Sequence, residues 1–227
     1  LTNPSDVNSA VEGVDAIAHL AAVLPPHAES NRDLTMKVNV DGTRVVLEAA
    51  AGRGGDCRVV LSSSVSVYGS STVNEELSAD SPTDPDDIYA ESKALSETLV
   101  TESSLPWVAL RISGVAVPVF QEPPAAWPFL ADQEIEFVHR DDAVSALVAS
   151  LTRDDVAGRI YNISGGPTWR MTGAKYVADY FNLVEIDPEE AVYQDSPGHF
   201  TWYDSAAGQA ALGYQNTHYE TYLEQVE

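Results

Sequence analysis

Cys57 is the only cysteine in the 227-residue chain, so no disulfide can close within it and no cysteine-based zinc site can form. Lysine is almost as scarce: Lys37, Lys93 and Lys175 are the full set, and the other basic residues are arginines. Together 12 Lys and Arg face 35 Asp and Glu, a formal net charge of -23. Such a surface repels nucleic acid and anionic membranes, so neither is expected as a partner. No apolar run approaches the roughly 18 residues that a membrane span requires. The opening stretch, Leu1-Thr2-Asn3-Pro4-Ser5-Asp6, has neither a basic nor an apolar section, so no secretory leader is predicted and a cytoplasmic protein is expected. His139, His199 and His218 show no metal-ligand spacing with carboxylates, and no metal is expected. Hydrophobic residues make up 44% of the chain and recur along its whole length, which excludes bulk disorder and supplies a core. The acidic residues are spread out, not gathered in a tail. That pattern fits a protein working in very high salt, where self-repulsion is screened, and it also fits an ordinary acidic cytoplasmic protein.

Short apolar runs alternate with longer helical stretches. Val14–Leu20, Cys57–Leu61, Trp107–Ile112 and Arg159–Ile163 read as buried strands. Residues 31–52 carry Leu34, Val38, Val45, Val46, Leu47 and Ala50 at near-helical spacing and predict one long helix, stopped by Gly52 and Gly54-Gly55. Ser62–Ser71 reads as a strand end running into a loop. Asp84-Pro85-Asp86-Asp87 is a helix-start signal, because carboxylates cap free N–H groups and suit the helix dipole. The helix it starts is expected over Ile88–Ser103. Further helices are expected over Asp141–Leu151, Thr172–Phe181, Ser205–Leu212 and Tyr219–Val226. Strands separated by helices of this length predict an α/β fold, a doubly wound parallel sheet with helices on both faces.

Three groups of residues can carry chemistry. Tyr89 and Lys93 stand four apart on a predicted helix and share a face. A free phenol has a pKa near 10, too high for a base at neutral pH, and a neighbouring ammonium lowers it toward a useful acid/base. The same spacing also describes an ordinary solvated helix face. Ser62-Ser63-Ser64 follows a buried strand, where parallel sheets place their ligands, and a hydroxyl there can bond a carbonyl or alcohol oxygen. Asn39-Val40-Asp41-Gly42-Thr43 puts an Asn and a Gly inside a long helix, at a cost in stability that hints at another purpose.

Taken in order, these segments resemble the extended short-chain dehydrogenase/reductases, the NAD-dependent epimerase/dehydratase group. His19-Leu20-Ala21-Ala22 is similar to the family's H-x-A-A strand end, and Asn39 to Thr43 to N-V-x-G-T. Ser62 to Gly69 resembles S-S-S-x-x-V-Y-G, and Tyr89 to Lys93 resembles Y-x-x-x-K. Phe137 to Asp142 resembles V-H-x-D-D, and the tail through Leu212-Gly213-Tyr214 resembles the closing helix and L-G-Y/W turn. The resemblance implies Tyr89 as catalytic acid/base, with Lys93 holding the nicotinamide ribose and lowering the Tyr89 pKa. It implies Ser64 as the group that binds the reacting oxygen. Ala21, Ala22, Asn39 and Ser62 would join Tyr89 and Lys93 in contacting NAD or NADP. The implied substrate is a sugar or nucleotide-sugar, and the implied assembly is a homodimer built on helices 31–52 and 88–103. Residues 1–113 and 136–163 would form a partial Rossmann-like domain. Residues 114–135 and 164–227 would form a small C-terminal substrate-binding portion.

The sequence departs from the family in two places. No G-x-G-x-x-G turn lies near the start, and Leu1-Thr2-Asn3-Pro4 resembles the stretch after the third strand of the fold. About 60 residues of βαβ structure would precede it. An incomplete chain is therefore expected, and a naturally short one that has lost cofactor binding is the alternative. After Leu110-Arg111 the family's aromatic, Asn and Gly-Pro are replaced by Ser113-Gly114-Val115-Ala116-Val117-Pro118, and the loop to Glu134 is short for a sugar-nucleotide. That opens two further readings: a dehydrogenase or reductase of the same family on a small carbonyl or sugar acid, and a non-catalytic relative with a binding role.

Overall fold

The computed structural model describes residues 1–54, 56–70 and 74–226. Gly55, one of the expected helix-stopping glycines, and Ser71, the end of the expected polar loop, lie outside the described residues.

The chain opens with α1 (Pro4–Ala10) and β1 (Ala16–His19). Short helices α2 (His27–Ser30) and α3 (Arg32–Thr35) lead through a π-helical segment, Met36–Asp41, into α4 (Gly42–Ala51). β2 (Arg58–Ser64) runs into a 3₁₀ turn over Val65–Tyr68, and α5 (Ile88–Thr101) follows. Next come β3 (Trp107–Ile112), β4 (Gly114–Ala116), β5 (Glu134–His139) and α6 (Arg140–Thr152). The last part holds β6 (Arg159–Ile163), β7 (Arg170–Thr172), α7 (Gly173–Leu183), α8 (Ala206–Leu212) and α9 (Tyr219–Gln225).

One sheet has the order β1-β2-β3-β6 and is parallel throughout. Its side chains alternate between two covered faces. Val60, Val108 and Leu110 pack with Ala143 and Ala146 of α6 and Leu212 of α8. Val59, Leu61 and Ala109 pack instead with Leu47 and Ala50 of α4 and Val100 of α5. Burial on both faces is why these strands read as continuous apolar runs and not as alternations. Each large side chain so buried contributes roughly 1.5–3 kcal/mol relative to exposure. The chain is thus Rossmann-like, with the expected doubly wound plan.

A second, smaller sheet was not expected. β4 pairs parallel with β5, and β5 antiparallel with β7. Two of these strands are three residues long. Their identity rests on packing against Trp127, Phe129, Trp169, Tyr176 and Phe181, not on local pattern. The expected single helix over 31–52 is also broken. The π-helical turn inserts around Asn39, whose side chain turns inward to bond the backbone of Val23, and such turns frequently mark functional sites.

Candidate active site

The first turn of α5 is held by carboxylates from two places. Asp87 caps the helix by accepting the Ala90 N–H at 2.6 Å. Glu29 of α2 accepts the N–H groups of Ile88 and Tyr89, both at 3.0 Å. Helix-start N–H groups lack intrahelical partners, and negative charge is favoured beside them. Tyr89 is therefore fixed through its own backbone. One turn on, the Lys93 ammonium stands 5.6 Å from the centre of the Tyr89 ring. Lys93 is buried and donates to the Ser62 carbonyl at 2.7 Å.

Ser64 ends β2 and caps the 3₁₀ turn, accepting from the Ser66 N–H at 3.2 Å and the Ser66 hydroxyl at 2.9 Å. Ser64 and Tyr89 line one cleft of about 550 Å³ with Asp86, Asp87, Ser113 and His199. Its far wall comes from Pro128 and the 194–200 segment. The structure thus brings Ser64 and Tyr89 into one cavity, with Lys93 behind the phenol and Ser62 anchoring Lys93 through its carbonyl.

Burial pushes the Tyr89 phenol up to about 12; the Ser64 hydroxyl pulls it down and the Asp87 carboxylate adds to the rise. Burial also brings Lys93 down to about 8, against an opposing pull from Glu97. Desolvation of the ring is the largest of these influences on the phenol. A phenol so raised stays protonated at neutral pH.

Lys93 is steadied by a buried network. Glu97, one turn further along α5, pairs with Arg111 of β3 through bonds of 3.0 and 2.8 Å. It also accepts the Ser63 hydroxyl at 2.5 Å. Arg111 donates on to the Tyr68 hydroxyl, which bonds Asn162 of β6. α5 is thereby bolted to β2, β3 and β6.

Asn39 is buried and reaches both ways. Its Oδ1 accepts the Val23 N–H at 2.7 Å, and its Nδ2 donates to the Ser92 hydroxyl at 2.9 Å. It does not line the cleft; it fixes the segment after β1, where Ala21 is exposed and Ala22 half-buried. These small residues follow His19, whose β1 register places it beside Leu61 in the middle of β2. His19 contacts the Thr43 hydroxyl at 2.8 Å, and burial followed by the Lys93 charge brings its imidazole down to about 4. Asp86, His199 and Glu97 were not singled out from sequence. The helix-start carboxylates were legible as a cap, but nothing local signalled their place on the cleft wall.

A sequence profile described as the NAD dependent epimerase/dehydratase family matches residues 1–125. A D-erythronate dehydrogenase from Cupriavidus necator is 35% identical over 105 residues, covering 46% of this chain and 32% of that protein. A second D-erythronate dehydrogenase, from Haemophilus influenzae, is 30% identical over 59% of this chain and 43% of its own length, so the chain spans less than half of either. A dTDP-glucose 4,6-dehydratase from Streptomyces griseus is 28% identical over 89% of this chain and 67% of that one. Among solved structures, a short-chain dehydrogenase/reductase superfamily protein from Agrobacterium tumefaciens with bound NAD superimposes with a TM-score of 0.81 at 21% identity. It covers 98% of this chain and 81% of that one, a likeness of fold.

Proposed function

Since the chain belongs to the NAD dependent epimerase/dehydratase family, we propose that it is an NAD(P)-dependent epimerase/dehydratase-type oxidoreductase acting on a sugar or nucleotide-sugar. The observation that carries the reading is the convergence of Ser64 and Tyr89 on one cleft with the Lys93 ammonium behind the ring. Ser64 holds the reacting oxygen, and Tyr89 passes a proton to or from it. A bound nicotinamide cofactor supplies or accepts the hydride.

The residues present fit the ribose–nicotinamide end of that cofactor. The buried Lys93 carries donors beyond the one bonded to Ser62, and the small Ala21 and Ala22 leave room at the carboxyl ends of β1 and β2, where parallel sheets receive ligands. Lys93 would bond the ribose hydroxyls. Asn39 would keep the 21–23 backbone in place, and Ser62 would hold Lys93. Residues 1–113 and 136–163 would carry cofactor and proton transfer, while 114–135 and 164–227 would form the substrate wall.

The test is NAD(P)-linked turnover by the protein purified from its own cells, screened over free sugars, sugar acids and nucleotide-sugars. Tyr89→Phe should abolish turnover with cofactor binding retained; unchanged turnover would overturn the assignment. A second reading, a dehydrogenase acting on a small sugar acid, is favoured by the likeness to D-erythronate dehydrogenases. The same screen separates the two.

The charge pattern supports a cytoplasmic protein adapted to high salt. Leu34 and Leu95 stand 46% and 42% exposed on α3 and α5, which supports a homodimer formed through those helices. Sedimentation in high salt checks this, and a monomer at working concentration would count against it.

A further inference from the structure

The two walls of the cleft meet at one side chain. His199 Nε2 lies 2.5 Å from an oxygen of Asp86, and His199 Nδ1 lies 3.5 Å from an oxygen of Asp87. All three line the cleft with Ser64 and Tyr89. Both carboxylates are already tied to the backbone that carries the reacting pair. The other Asp86 oxygen accepts the Ser70 N–H at 3.1 Å and the Ser70 hydroxyl, and Ser70 follows Gly69, which ends the turn that Ser64 caps. Asp87 accepts the Ala90 N–H, next to Tyr89.

His199 is held just as firmly from the opposite side. The side chain of Gln133, 1% exposed, accepts the Gly198 N–H at 3.1 Å and donates to the carbonyls of Gly198 and Phe200 at 2.8 and 2.7 Å. Gly198 packs so closely on Pro128 that a Cβ there would stand 1.9 Å from the Pro128 carbonyl oxygen. Only glycine permits that approach, which lays the segment carrying the imidazole against Pro128.

We infer that His199 is a positioning residue: it clamps the substrate wall to the Asp86–Asp87 corner and so sets the width of the cleft over Ser64 and Tyr89. A continuous chain of contacts runs from Gln133 through His199 and the two carboxylates to the backbone of Ser70 and Ala90. The imidazole hydrogen-bonds neither reacting side chain; it acts through Asp86 and Asp87. The consequence for turnover rests on Tyr89 being the acid/base, whereas the clamp itself does not.

The experiment uses His199→Ala, His199→Gln, Asp86→Ala and the His199→Ala/Asp86→Ala pair in the full protein. Loss of a hydrogen bond to a charged group should lower kcat/KM about tenfold or more in His199→Ala, with cofactor affinity unchanged. His199→Gln, whose amide N–H reaches as Nε2 does, should restore most of it. The double variant should be no worse than the poorer single one, since contacting residues are coupled. Amide hydrogen exchange should quicken at Ser70 and Ala90 in His199→Ala. Wild-type exchange at both amides, or single effects that multiply in the pair, would overturn the clamp. A wild-type protein without NAD(P)-linked turnover would instead sink the proposed reaction, and the exchange measurement would still decide the clamp.

Discussion

His19 is 4% exposed at the end of β1, and burial with the Lys93 charge holds its imidazole neutral down to about pH 4. In the unfolded chain a histidine titrates near 6.5. The unfolded state therefore binds the proton first, and stability falls as pH drops from 6.5 toward 4. At about 1.4 kcal/mol per unit, the full span is worth about 3 kcal/mol. Near pH 5 about 2 kcal/mol of that is already lost, since the unfolded imidazole is almost fully charged there and the folded one is not. His19→Gln keeps a donor for the Thr43 hydroxyl and removes the titration. Urea unfolding of wild type and variant at about pH 7 and about pH 5 isolates the effect, because the other titratable groups contribute equally to both proteins. The wild type should lose about 2 kcal/mol more than His19→Gln over that interval. An equal loss in both, or a greater loss in the variant, would refute the placement of a neutral histidine against Lys93.

Glu97→Ala leaves Arg111 buried without its carboxylate and should cost about 3–5 kcal/mol in unfolding free energy. Replacing both residues by leucine should cost less, because no lone charge then remains inside; chemical denaturation compares the two. The Lys93 ammonium loses its proton as pH rises through about 8. NAD(P) affinity measured by calorimetry should weaken through that range, and Lys93→Met should show weak, pH-independent binding. Thermal melting in increasing potassium chloride should rise if the charge of -23 is adapted to high salt, and a protein most stable without salt would remove that reading.

Much of the sheet was legible because its signals are local. Trp107–Ile112 and Arg159–Ile163 stand as strands at the expected bounds, their apolar runs reporting burial on both faces. Tyr89 and Lys93 share a face because the helix repeat puts residues four apart together, and Asp87 caps that helix as its position implied. The burial of the Tyr89 ring was not legible. Residue types place an ammonium beside a phenol, but how far water is excluded from the ring depends on the packed surroundings. Nor was the turn at Asn39, since a π-helical insertion is set by what its side chain finds across the fold.

The sequence by itself determined the alternation of strand and helix, the acidic composition, and the motifs whose family resemblance implies nicotinamide chemistry. Tertiary structure alone decided which distant residues meet. His199 and Asp86 lie 113 positions apart and touch across the cleft. Glu97 finds Arg111 from a different element, and three-residue strands become a second sheet. Spacing along one helix or strand follows from backbone geometry and can be read residue by residue. Contacts between elements follow from how whole faces pack, and no local pattern carries that information.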